Sequence, residues 1–189
     1  MSERPAPQQA RAAKTRSNLL DAAATVVRRD GVQAMTLARV AEQAGVSKGG
    51  LLHHFGSKED LIAGLLEQTL ADAGAGLDEL TVGAERGAFA HAYLEFVRRP
   101  DEHQADSATA IFAAAAAGEG ELGPAAEVFE AWQQRLMHDD GLDPALGLLA
   151  RIVGDGLWLI DLFGLARPSE ADRAAVIDLV ARLLDDPLP

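Results

Sequence analysis

Ser47, Lys48, Gly49, Gly50 and His53 form the group of residues whose types and spacing point most clearly to a chemistry. A lysine near the start of a helix can donate to guanine O6 or N7 in a major groove, or to a phosphate. A serine that caps the same helix can offer its hydroxyl or its N–H to a phosphate. Two glycines inside a helix cost about 1 kcal/mol each relative to alanine. Their return is close backbone approach to a groove wall, because no side chain intervenes. They also remove two side chains that would read bases, which shifts the expected readout toward DNA shape.

The elements that must position these residues are legible around them. Thr36 can cap a helix in which Leu37, Val40, Ala41 and Ala44 recur at helical spacing. Gly45 supplies the left-handed turn that stops it. Ser47 caps a second short helix, with Leu51 and Phe55 four apart on its inner face. Two short helices joined by a tight turn have the shape of a DNA-reading helix-turn-helix. Before them, a helix is expected from about Thr15 to Asp30, with an apolar stripe of Leu19, Leu20, Ala23, Val26 and Val27. After them, Ser57 with Asp60 forms a capping-box pattern that opens a fourth helix, carried to about Ala73 and ended by Gly74 and Gly76.

Residues 14–66 resemble the tetracycline-repressor (TetR) family of transcriptional regulators. The likeness rests on Gly31, on Met35-Thr36-Leu37, and on Ala44-Gly45-Val46-Ser47-Lys48-Gly49. It continues through Leu51, His54-Phe55 and Ser57-Lys58-Glu59-Asp60-Leu61. So many matches in order are far more specific than a lone short motif. The resemblance implies DNA contacts from Thr36, Arg39, Ser47, Lys48, Gly49, Gly50, His53, His54 and Lys58. Leu52 departs from the family pattern, where a tyrosine is usual and its hydroxyl meets a phosphate. Leucine has no donor, so it would touch a thymine methyl or a neighbouring helix. For His54 a helix-end bond to a carbonyl is an equal alternative.

Charge is segregated along the chain. The whole has net charge −12, yet residues 1–60 hold nine Lys and Arg against six Asp and Glu. The remaining residues therefore hold eight against 23. Acid on the larger part keeps a protein soluble and would orient the basic end toward phosphate. Residues 1–13, with Pro5, Pro7, Arg4 and Arg11, read as a disordered basic arm, either a solvated tail or a reach into a minor groove. Cysteine is absent, which excludes disulfides and thiolate chemistry. No signal peptide or membrane span is expected, and the protein is placed in the cytoplasm with no membrane partner.

Beyond the head the sequence reads as all helix. Segments are expected near 83–99, 105–117 and 124–138, from Asp143-Pro144 to Gly164, and from Ser169 with Asp172 to about Leu184. The fold class is therefore all-α: a three-helix head over 14–56 and a C-terminal helical bundle over 57–189, about nine helices in all. Leu146, Leu149, Ile152, Val153, Leu157 and Ile160, with Val176, Leu179, Val180 and Leu183, offer stripes for a core face and a homodimer face. The aromatic residues concentrate in this part, and the family resemblance implies a small-molecule pocket there. Phe89, Tyr93, Phe96, Phe112, Trp132, Asp155 and Trp158 are the ligand-binding candidates. An aromatic stripe at helical spacing is more often core than pocket, and Tyr93, Trp132 and Trp158 stand out because each adds a polar atom to a ring. Asp155 and Asp161 lie in an apolar helix and need partners: another subunit, a cationic ligand, or water at the helix margin.

His91, His103 and His138 show no metal-ligand spacing, and no phosphate-cradling loop or nucleophile elbow is present, so no catalytic residue, cofactor or metal is expected. The expected function is a ligand-responsive regulator, a repressor released from palindromic duplex operator DNA by a small apolar molecule. The alternative is a helical DNA-binding or protein-interaction module that needs no effector.

Overall fold

The computed structural model describes residues 7–81, 85–98, 108, 111–112, 114–115, 118 and 122–186. Among these residues every regular element is helical. Eight α-helices have bounds among the described residues: α1 (Pro7–Asp30), α2 (Leu37–Gln43), α3 (Lys48–Leu52), α4 (Lys58–Leu80), α5 (Ala88–Arg98), α6 (Gly123–Gln134), α7 (Pro144–Phe163) and α8 (Glu170–Asp185). A 3-10 turn, Val32–Ala34, joins α1 to α2, and a π-turn, Arg135–Asp139, continues α6. No described helix is long and apolar enough to cross a membrane.

The chain forms two compact units, residues 1–68 with 110–122, and residues 69–109 with 123–189. The division falls within α4, several turns beyond the start of that helix. The reason lies in its first turns: Leu61, Ile62, Leu65 and Leu66 are buried with the α1 stripe of Leu19, Leu20, Ala23, Val26 and Val27 in the first unit. Met35, Val40, Ala41, Leu51 and Phe55 complete that core. Gly64 makes the fit possible. A Cβ there would lie 2.9 Å from Phe55 Cε1 and 3.0 Å from Leu20 Cδ2. Arg16 closes the same spot, with its guanidinium 5.1 Å from the Phe55 ring centre and an ion pair of 3.1 Å to Glu67.

The boundaries of α1 and α4 differ from those expected from the sequence. The expected arm over 1–13 is helical from Pro7 onward, where Ala10, Ala12 and Ala13 are strong helix formers behind a proline suited to a first turn. Residues 1–6 lie outside the described residues. α4 runs through Gly74 and Gly76 to Leu80. Leu77 is fully buried, and Gly76 lies where a Cβ would be 3.5 Å from Phe96. Packing thus outweighs the roughly 1 kcal/mol that each glycine costs a helix.

In the second unit, Leu77, Phe89, Tyr93, Leu94, Leu136, Leu157, Ile177 and Val180 form the centre of a continuous core. α5 begins at Ala88, later than the expected start near 83. Gly87 sits at φ 80, and the Asp140 carboxylate accepts from Phe89 N at 2.9 Å and Ala90 N at 2.8 Å. A residue fifty positions away thus caps this helix. α7 crosses the π-turn so closely that a Cβ at Gly147 would stand 2.0 Å from the Leu136 carbonyl oxygen. The expected segment near 105–117 lies mostly outside the described residues. Ala108, Ile111, Phe112 and Ala114 within it are helical.

Candidate functional site

The helix-turn-helix is built by reciprocal caps. The Thr36 hydroxyl accepts from Arg39 N at 3.3 Å and opens α2. At its far end Gly45 takes φ 67, Gly45 N donates to Glu42 O at 3.1 Å, and Val46 N donates to Ala41 O at 3.0 Å. These two bonds are the 5→2 and 6→1 pair of a Schellman stop. Ser47 then accepts from Gly50 N at 3.0 Å and opens α3. Leu51 is fully buried and holds α3 against the head. Ser57 and Asp60 exchange side-chain bonds of 3.0 and 3.1 Å, the expected capping box, at the start of α4.

This scaffold brings most of the predicted DNA contacts to one surface. Ser47, Lys48, Gly49, Gly50, Leu52 and His53 are all exposed on or beside α3. Gly49 is open: a Cβ there would have only Ser47 Oγ near it, at 4.0 Å. His54 is half-buried with its ring edge-on to that of His53 at 5.5 Å. Lys58 is half-buried at the first turn of α4, and Thr36 is exposed.

Arg39 is placed differently from the others. Its guanidinium donates to Asp30 Oδ2 at 2.8 Å and to the Ala34 carbonyl at 3.2 Å, tying α2 to the end of α1. Arg29 also bonds Asp30, and that hydrogen bond, with the charges of Arg29 and Arg39, holds the Asp30 carboxyl below the ordinary carboxylate range. Arg39 therefore serves first as a brace of the head. Its side chain is 43% exposed, and the guanidinium has five N–H donors, so bracing the head is compatible with a phosphate contact.

In the second unit the structure gathers four of the predicted ligand residues, Tyr93, Trp132, Asp155 and Trp158, with Phe129, which lies outside the predicted set. Tyr93 and Trp132 meet edge-on at 6.2 Å, Phe129 meets Trp132 at 5.4 Å, and Phe129 meets Trp158 at 6.2 Å. The Tyr93 hydroxyl donates to Asp155, whose other oxygen accepts from Arg151 Nε at 3.1 Å. Arg151 also donates to Gln133. Burial first, then the neighbouring carboxylate, push the Tyr93 hydroxyl far above the ordinary phenol range, so it remains a donor. Gly154 admits the Tyr93 ring, since a Cβ there would clash with Cε1 at 2.5 Å.

The other ligand candidates stand apart. Phe89 is buried beneath the Arg135 guanidinium, 3.7 Å from its ring centre, as part of the core. Phe96 is exposed, and Phe112 belongs to the first unit. Both acidic residues of α7 find partners within the chain: Arg151 and Tyr93 for Asp155, and Arg173 with Arg167 for Asp161. A cleft of about 370 Å³ in the same unit is lined by Leu80, Glu85, Arg86, Ala88, His91, Ala92, Glu95 and Asp185. None of the ligand candidates borders it.

Two family models match the chain. Residues 19–65 match the model described as bacterial regulatory proteins, tetR family. Residues 87–185 match the tetracyclin repressor-like C-terminal domain.

The chain belongs to the TetR family of transcriptional regulators.

Within the TetR family, the HTH-type transcriptional repressor KstR of Mycolicibacterium smegmatis is 27% identical over 180 residues, covering 89% of this chain and 86% of that protein. The HTH-type transcriptional repressor KstR2 of Rhodococcus jostii is 42% identical over 57 residues, 30% of this chain and 28% of that protein. Two solved structures share the fold at TM-score 0.69 and 22% identity, each matching over 88% of this chain and 98% of its own. They are a TetR-family member (SCO1917) from Streptomyces coelicolor and the multidrug binding protein EbrR complexed with ethidium.

Proposed function

We propose that the protein is a repressor that binds a palindromic operator as a homodimer and is released by a small, largely apolar molecule. The carrying observation is the exposed face of α3, where Lys48, Leu52 and His53 surround a bare glycine backbone on a helix anchored by Leu51. That shape suits a major groove. Thr36, Ser47, His54 and Lys58 flank it as backbone contacts. Residues 14–56 act as the DNA-binding domain and residues 57–189 as the ligand-binding and dimerisation domain, in the cytoplasm, without enzymatic activity.

The dimer face is supported by an apolar stripe on α7. Leu148, Ile152, Leu159 and Phe163 are exposed, Ile152 and Phe163 at 59% each, and Leu179 is exposed on α8. Of the ten residues expected to supply a core face and a partner face, Leu146, Leu149, Val153, Leu157, Val176 and Val180 pack on the core, Ile152 and Leu179 are exposed, and Ile160 and Leu183 are half-buried. A four-helix interface would cover the stripe.

The effector reading is supported by the Tyr93, Phe129, Trp132 and Trp158 rings beside the Asp155 carboxylate. The fold neighbour EbrR is a multidrug binding protein complexed with ethidium, an aromatic cation. A neutral or cationic aromatic compound suits rings next to a carboxylate. α4 contributes to both cores, so a ligand that favours one placement of α4 would change DNA affinity by its differential affinity alone.

One observation favours a module without effector: Tyr93 and Asp155 are already satisfied by each other and by Arg151. Thermal-shift screening against a panel of aromatic compounds separates the two readings. DNA binding is tested by selecting duplexes from a random pool. Lys48→Ala is expected to weaken the selected site by roughly 1–3 kcal/mol and relax one position per half-site. Recovery of no preferred duplex would refute the proposal.

A further inference from the structure

Among the described residues of 7–68, Leu52 is the large apolar side chain left exposed, at 42%. An exposed leucine alone is ordinary. Its setting is not. Lys48 and Leu52 lie one turn apart on α3, and Gly49 and His53 form a second pair at the same spacing. Leu51 turns the opposite way and is fully buried. The outer face of α3 therefore carries one ammonium, one branched apolar chain, one imidazole and a stretch of bare backbone. Leu52 can neither donate nor accept a hydrogen bond, so it has nothing to offer a phosphate or a polar base edge. The apolar group that base edges present in the major groove is the thymine C5 methyl. Gly49, where a Cβ would find no side chain beyond its chain neighbours nearer than Ser47 Oγ at 4.0 Å, lets the helix backbone come close enough for a leucine of ordinary length to reach it.

We propose that Leu52 is a specificity-determining residue that reads a thymine methyl, one in each half-site. The inference rests on the DNA-reading function proposed above and deepens it by naming the group read. Lys48 fixes the polar part of the same reading edge, one turn earlier. Leu52 supplies discrimination between thymine and bases that lack the methyl.

The test removes the methyl and leaves every hydrogen bond in place. A palindromic duplex selected by the full-length protein is resynthesised with deoxyuridine in place of thymine, one symmetric pair at a time. Affinity is measured by fluorescence anisotropy for the wild type and for Leu52→Ala. One thymine pair is expected to cost the wild type about fourfold per half-site when its methyl is lost. The same change is expected to leave Leu52→Ala unmoved. Because Leu52 is exposed, the variant should melt as the wild type does, checked by circular dichroism. If no thymine distinguishes the two proteins, or if Leu52→Ala loses as much as the wild type, the inference is overturned while the DNA-binding function stands. If the wild type selects no duplex at all, both fall together.

Discussion

Replacing Gly49 with alanine separates what the fold needs from what DNA reading needs. A Cβ at Gly49 would meet only Ser47 Oγ, 4.0 Å away, so the head has room for a methyl. Alanine is the better helix former by at most about 1 kcal/mol, less in a first turn. The variant should therefore melt as high as the wild type or up to roughly 2–4 °C higher for a chain of this size. On the proposed reading face, however, the added methyl stands between the backbone and the groove. Overpacking of a fitted surface costs about 1–3 kcal/mol, a loss of roughly 5-fold to 150-fold in affinity for a selected duplex. Gly64→Ala is the internal control. There a Cβ would lie 2.9, 3.0 and 3.3 Å from Phe55, Leu20 and Arg16. Overpacking of about 1–3 kcal/mol is offset by at most about 1 kcal/mol of helix propensity, so the control should lose stability. The assays are thermal unfolding by circular dichroism and anisotropy with labelled duplex. A Gly49→Ala protein that is at least as stable and binds DNA as tightly as the wild type would refute the placement of Gly49 against the groove.

Tyr93→Phe deletes the donor that Asp155 accepts from and should cost about 1–3 kcal/mol in urea unfolding. The Tyr93 pKa is raised above its ordinary 10.0, so its contribution is full below about pH 10 and is lost as pH rises beyond it. The wild type should therefore lose stability above pH 10 more steeply than Tyr93→Phe, and parallel pH profiles would contradict the buried donor. Ile152→Glu places a charge in the exposed stripe of α7 and should convert a dimer to a folded monomer in light scattering, with an unchanged helical spectrum.

The sequence by itself determined the head. Thr36, Gly45, Ser47 and the Ser57–Asp60 box act on backbone groups within four residues of themselves, so their roles are legible from spacing alone, and each is found making its bond. The inward turn of Leu51 and the outward turn of Lys48 and His53 follow from the helical period. Asp143, Gly164 and Ser169 bound the last two helices for the same reason. Tertiary structure decided whatever depends on residues far apart in the chain. α4 passes Gly74 and Gly76 because Leu77 is buried in a core assembled from α5, α7 and α8. α5 starts at Ala88 because Asp140, from the turn after α6, caps it. Arg39 became a brace because the end of α1 brings Asp30 to it. The partners of Asp155 and Asp161 include Tyr93 and Arg173, from neighbouring helices. Which side of α7 meets the core and which side is left open could not be read from a helix that is apolar nearly all round. The neighbours it packs against made that choice, burying Leu157 and leaving Ile152 and Phe163 exposed.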